Sequence, residues 1–148
     1  MTPYFTMEQT IGRPVDEVFS TVIQMDEFPA WSPRNPSGKK LTSGEIGEGS
    51  RFQLGIKGFG KVTMELREFE RDRRVMITPL SRMFDGGHRW TFTDLGDRQT
   101  RIEHELEMRP KGVFKLMGPM MRANGKKNLR ETVEALKRHL EGGGATAA

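Results

Sequence analysis

Residues 100–109 constrain this chain more than any other stretch. Every odd position from 101 is charged: Arg101, Glu103, Glu105, Glu107 and Arg109. The even positions hold Ile102, His104, Leu106 and Met108. Successive side chains on a strand point to opposite faces, so this segment reads as one strand with two unlike faces. Five charges on one side predict a row facing water, and the other side must be covered. The chain therefore needs an antiparallel sheet with one wet face and one covered face, and something to cover it.

The cover is expected from residues 112–140, which read as one long helix. Its first half carries Phe114, Leu116, Met117, Met120 and Met121; its second carries Leu129, Val133, Leu136 and Leu140 at helical spacing. Gly118-Pro119 interrupts it. Proline removes a helical hydrogen bond and clashes with the preceding turn, so a kink or break is expected, with a short piece before it and a long one from about Pro119. A sheet wrapped around this helix would meet methionines, which fill irregular space. That combination points to a cavity between sheet and helix, and to an apolar ligand.

The rest of the chain supplies the sheet. Residues 3–11 alternate, with Phe5, Met7 and Ile11 on one parity. After Gly12-Arg13-Pro14, the residues Val15, Val18, Phe19, Val22 and Ile23 fall at the spacing of a short amphipathic helix. Prolines at 29, 33 and 36, with Phe28 and Trp31 between, predict a helical turn and then an irregular loop. A short strand is expected at 39–43. Strands follow at 50–56 (Phe52, Leu54 and Ile56 on one face), 61–70 (Val62, Met64, Leu66), 74–80 (Val75, Ile77) and 88–94 (Trp90, Phe92). Phe69 breaks the parity of its strand, which predicts a bulge or an end there. Residues 142–148 read as a flexible tail after a single domain at 1–141.

Composition excludes several classes. The 148 residues suit one domain. Cysteine is absent, which removes disulfides and thiolate chemistry. No apolar run is long enough to span a bilayer, and no secretory signal is expected from the first residues, so a cytoplasmic protein without integral membrane association is the simplest expectation. The net charge of +4 is mild. The densest basic cluster is Arg122, Lys126, Lys127 and Arg130, with Lys137 and Arg138 later; it lacks aromatics and reads as a solvated helix face, so no nucleic-acid partner is expected.

Several segments resemble the SRPBCC superfamily, which includes START-related, Bet v 1-like and polyketide cyclase/dehydrase domains. They are Ile11-Gly12-Arg13-Pro14-Val15-Asp16-Glu17-Val18-Phe19, Asp26-Glu27-Phe28-Pro29-Ala30-Trp31-Ser32-Pro33, Gly47-Glu48-Gly49, Trp90-Thr91-Phe92 with Thr100-Arg101-Ile102, and Leu136-Lys137-Arg138-His139-Leu140-Glu141. The resemblance covers nearly the whole chain. It implies an α+β helix-grip fold: a curved seven-stranded antiparallel sheet, two short helices, and a long C-terminal helix over a pocket. Members bind lipids, sterols, quinones, polyketides or hormones, and some are cyclases or hydrolase activators. None of the matched segments is catalytic.

Among the residues themselves, His104 stands out, since its parity places an imidazole on the covered face. It is a candidate general base or an anchor for a ligand carbonyl, against the plainer reading of a hydrogen-bonded core histidine. His88, beside Gly86-Gly87, is expected at a solvated rim, and His139 on the surface. Three histidines this far apart, with no HExxH motif, predict no metal site, and no cofactor is expected. Gly44, Gly47 and Gly49 lack the spacing of a phosphate loop. Trp31 is expected beneath the short helices or at the pocket mouth. The candidate ligand-binding set is Phe52, Leu54, Met64, Leu66, Ile77, Trp90, Phe92, His104, Leu106, Phe114, Met117, Met120 and Met121. The expected function is binding of an apolar or amphipathic molecule, such as a lipid, quinone or polyketide. The alternatives are a cyclase or dehydratase acting through His104, and an interaction module using Arg122, Lys126 and Lys127 or the loop at 28–36. Oligomeric state is not legible.

Overall fold

The computed structural model describes residues 5–82 and 84–143, with the side chains of 108, 114, 117, 118, 120–124 and 143 outside the description. The tail expected at 142–148 lies outside the described residues from 144 onward. Seven strands form one antiparallel sheet: β1 (Phe5–Ile11), β2 (Gly38–Lys40), β3 (Arg51–Ile56), β4 (Gly60–Glu70), β5 (Arg74–Pro79), β6 (Phe84–Gly96) and β7 (Gln99–Pro110). Their order across the sheet is β1-β7-β6-β5-β4-β3-β2. Sequential hairpins build β2 to β7, and β1 returns to pair with β7, Met7 opposite His104.

Local chemistry sets these bounds. Helix α1 (Val15–Ile23) starts after Pro14, whose fixed φ and missing N–H suit a helix entry. Asp16 and Glu17 in its first turn complement the helix dipole. A 3₁₀ turn, Met25–Ala30, and the proline loop follow. Gly58 and Gly60 take positive φ at the β3–β4 hairpin, where side chains are disfavoured. The β2 strand is shorter than expected and starts one residue earlier, while β6 begins at Phe84 and includes Gly86-Gly87.

The bulge expected in β4 is present. Register with β5 shifts between Arg67 and Glu70, and Glu68 takes φ 51°. The extra residue turns Phe69 onto the covered face, where its ring meets Phe19 edge-on at 5.4 Å. Glu48 accepts a hydrogen bond from the Phe69 N–H at 2.9 Å, satisfying an amide in the irregular stretch.

The terminal segment breaks where glycine and proline predict. A 3₁₀ segment, Gly112–Met117, precedes helix α2 (Gly118–Arg138), and a π turn, His139–Gly143, closes it. Leu129, Val133, Leu136 and Leu140 are buried as the helical stripe requires. Leu116, expected on the apolar half, is instead 88% exposed, because the 3₁₀ segment turns it outward. Val18, Phe19 and Val22 of α1 pack with Ile11, Phe52, Leu66, Phe92 and Leu136 in the core.

The charged row of β7 needs one correction. Glu107 is only 3% exposed, not solvated. Arg89 from the neighbouring β6 lies across it, with Nη1 3.2 Å from Glu107 Oε1 and Nη2 3.1 Å from Glu68 Oε2. The row is therefore part of a cross-strand ion-pair network, in which long arginine arms shield a carboxylate on the outer face.

Candidate functional site

A cavity of about 400 Å³ lies between the covered face of the sheet and α2. Its floor comes from alternating strand residues: Leu54 and Ile56 of β3, Val62 and Met64 of β4, Ile77 and Pro79 of β5. Strands β6 and β7 add Phe84, His88, Trp90, His104 and Leu106. Helix α2 closes it with Gly125, Asn128, Leu129 and Thr132, which share one face by their spacing of three and four. Gly125 lets the helix approach β1: a Cβ there would lie 2.5 Å from the Phe5 ring. Phe28, Arg34 and Asn35 show that the proline loop forms one side of the cavity.

Of the residues singled out from sequence, Leu54, Met64, Ile77, Trp90, His104 and Leu106 line this space. Phe52, Leu66 and Phe92 sit in the solid core behind it. The side chains of Phe114, Met117, Met120 and Met121 lie outside the described residues. Trp31 is placed against Phe28 at 4.9 Å and stacks on the exposed His139 at 6.4 Å, and it does not line the cavity.

The polar feature of the cavity is a histidine pair. His104 is 1% exposed, and its ring stacks on Trp90 with centroids 3.8 Å apart. His104 Nε2 lies 2.9 Å from His88 Nδ1. His88 therefore belongs to the cavity wall, not to a solvated rim. The signal was in the sequence: His88 shares parity with Trp90 and Phe92, but Gly86-Gly87 suggested a strand end. Instead Gly87, at φ 152°, lets β6 continue past Ile77, whose carbonyl oxygen would lie 2.4 Å from a Cβ at that position. Burial pushes His88 down to about 4. Burial first, and then the His88 charge, hold His104 well below its ordinary value. Both rings are neutral near pH 7. The Trp90 face would favour an imidazolium, but desolvation outweighs it.

At one side of the cavity, Arg34 and Lys57 contribute cations. Arg34 donates to the Lys57 carbonyl at 3.4 Å, and neither side chain forms an ion pair with a described carboxylate. No cluster of three or more potential metal ligands occurs among the described residues. No helix among them is long and apolar enough to cross a membrane.

Comparison with known proteins agrees with this geometry. No curated protein matches the sequence. A START superfamily protein from Mycobacterium smegmatis superposes with a TM-score of 0.77 at 15% identity, covering 93% of this chain and 96% of that one. The Zhui aromatase/cyclase from a Streptomyces species gives 0.63 at 14% identity, covering 92% and 94%. The di-domain ARO/CYC BexL gives 0.73 at 17% identity, covering 95% of this chain and 47% of that one. At these identities the likeness establishes the helix-grip fold. The family profile described as "Polyketide cyclase / dehydrase and lipid transport" matches residues 2–141, and the chain belongs to that family.

Proposed function

We propose that this protein binds an apolar or amphipathic small molecule, of lipid, quinone or polyketide type, in the cavity between the sheet and α2. The cavity itself carries this reading. Its volume of about 400 Å³ falls in the range of small-molecule pockets, about 300–1,000 Å³. Its walls are mainly aliphatic and aromatic, with a few convergent polar groups. Burying about 200 Å² of apolar ligand surface would contribute roughly 5 kcal/mol before the losses of association. Arg34 and Lys57 suit an amphipath whose acidic end remains near the surface.

Native mass spectrometry of protein purified from its own host tests this reading, with expected co-purified small-molecule mass. Ile77→Trp, which projects an indole into the space, is expected to abolish that mass and leave the circular dichroism unchanged. A wild-type protein that carries no mass and shows no thermal shift with fatty acids, quinones or aromatic polyketides would overturn it.

One observation favours a second reading, a cyclase or dehydratase: two neutral imidazoles in contact inside an apolar cavity. An imidazole held near 4 is a weak base at neutral pH, so the binding reading is better supported. If the second reading holds, His104→Ala abolishes turnover of a polyketide substrate without loss of fold; surviving turnover rejects it.

A further inference from the structure

The histidine pair carries information about what the cavity admits. The inference rests on reading the cavity as a small-molecule site, and it names the chemistry of the guest. His104 Nδ1 is buried and has no hydrogen-bond partner. A neutral imidazole has one proton, so two tautomers compete. With the proton on Nδ1, an N–H would be sealed away without an acceptor. With the proton on Nε2, the buried atom is a bare lone pair, and the N–H meets His88 Nδ1 at 2.9 Å. Stranded buried N–H groups are rarer than under-satisfied acceptors, so the second tautomer wins. The Trp90 stack holds the His104 ring in this orientation.

That choice fixes His88. Its Nδ1 accepts, so its single proton sits on Nε2. His88 lines the cavity and is only partly buried, and since its Nδ1 is taken by His104, Nε2 is the ring nitrogen left to meet a guest. The wall therefore presents an imidazole N–H and no imidazole acceptor. An amine or amide N–H placed there would set donor against donor. A carboxylate would carry an uncompensated charge into the apolar interior, which desolvation disfavours. A neutral oxygen acceptor satisfies the site without a charge.

We propose that the His88 Nε2–H is the recognition donor of the cavity, and that its guest is an apolar molecule bearing a neutral carbonyl-type oxygen, as in a ketone, quinone or ester. Long-range proton–nitrogen NMR of the unliganded protein, labelled at histidine, is expected to show both His88 and His104 protonated at Nε2. A proton on Nδ1 of either ring would overturn the proposal. A matched pair of probes gives the second arm. Wild-type protein is expected to bind 2-acetylnaphthalene about tenfold tighter than its near-isostere 2-ethylnaphthalene, the scale of one buried hydrogen bond. His88→Phe is expected to bind both equally. Equal binding of the two probes by the wild type, or a preference that survives in His88→Phe, would overturn the donor assignment and leave the cavity reading intact. Binding of neither probe would overturn the cavity reading and this inference with it. Should His88→Phe not fold, the NMR and the wild-type probe pair decide.

Discussion

Acidification is expected to destabilise this protein through the histidine pair, well above the pH at which carboxylates titrate. An unfolded histidine has a pKa of about 6.5, whereas His88 in the fold sits at about 4. The unfolded state therefore binds more protons between these values, and stability falls as pH falls. Above about 6.5 both states are neutral and nothing is lost. At pH 5 the unfolded imidazole is almost wholly charged and the folded one almost wholly neutral, which costs about 2 kcal/mol. Below about 4 the loss levels at about 3 kcal/mol, and His104 adds a loss of the same sign. Glu65 and Glu141 are held below 4.5, by the Arg51 hydrogen bond and by the Gly12 N–H respectively. Their contributions are present above 4.5 and are lost at lower pH. Urea unfolding at pH 7 and pH 5 separates these effects. Wild type is expected to lose about 2 kcal/mol more than His88→Phe between the two values. Equal losses in the two proteins would refute the claim that His88 stays neutral in the native state at pH 5.

Three further outcomes follow from packing and charge. Gly87→Ala is expected to cost about 3 kcal/mol in urea unfolding, since φ 152° suits glycine alone and a Cβ would meet the Ile77 carbonyl oxygen at 2.4 Å. Arg89→Leu is expected to cost about 3 kcal/mol by stranding the buried Glu107 carboxylate, and adding Glu107→Leu should recover most of that in the same assay. Leu136→Ala, in the core, should cost about 4 kcal/mol, against about 2 kcal/mol for Leu129→Ala, which faces the cavity. Equal costs in calorimetry would mean that the cavity wall is as tightly packed as the core.

Much of the architecture was legible because alternation and helical spacing record burial directly. The strict alternation at 101–109 placed His104 inward, the parity break at Phe69 marked the bulge, and Gly118-Pro119 marked the helix break. The cavity was less legible for a physical reason. Phe52, Leu66 and Phe92 share parity with cavity residues, and only curvature of the sheet decides which inward residues meet open space and which meet α1. Gly86-Gly87 makes His88 read as a rim residue, because paired glycines often end a strand, whereas here Gly87 permits a close backbone approach within it. Glu107 reads as solvated from sequence because alternation reports the face of a sheet and says nothing of the Arg89 arm that crosses it.

The two outermost strands have a consequence for how the molecule meets its neighbours. Along β1, Lys137 Nζ already donates to the Thr10 carbonyl at 2.6 Å, and the Gly12 N–H is taken by Glu141 Oε2 at 2.8 Å. At the opposite margin, β2 is three residues long and two of them are lysines. A foreign strand seeking to extend the ladder finds one border partly occupied and the other too brief and too positively charged to template it. Extension of the sheet by stacking of further copies is therefore discouraged at the C-terminal end of one margin and along the whole of the other.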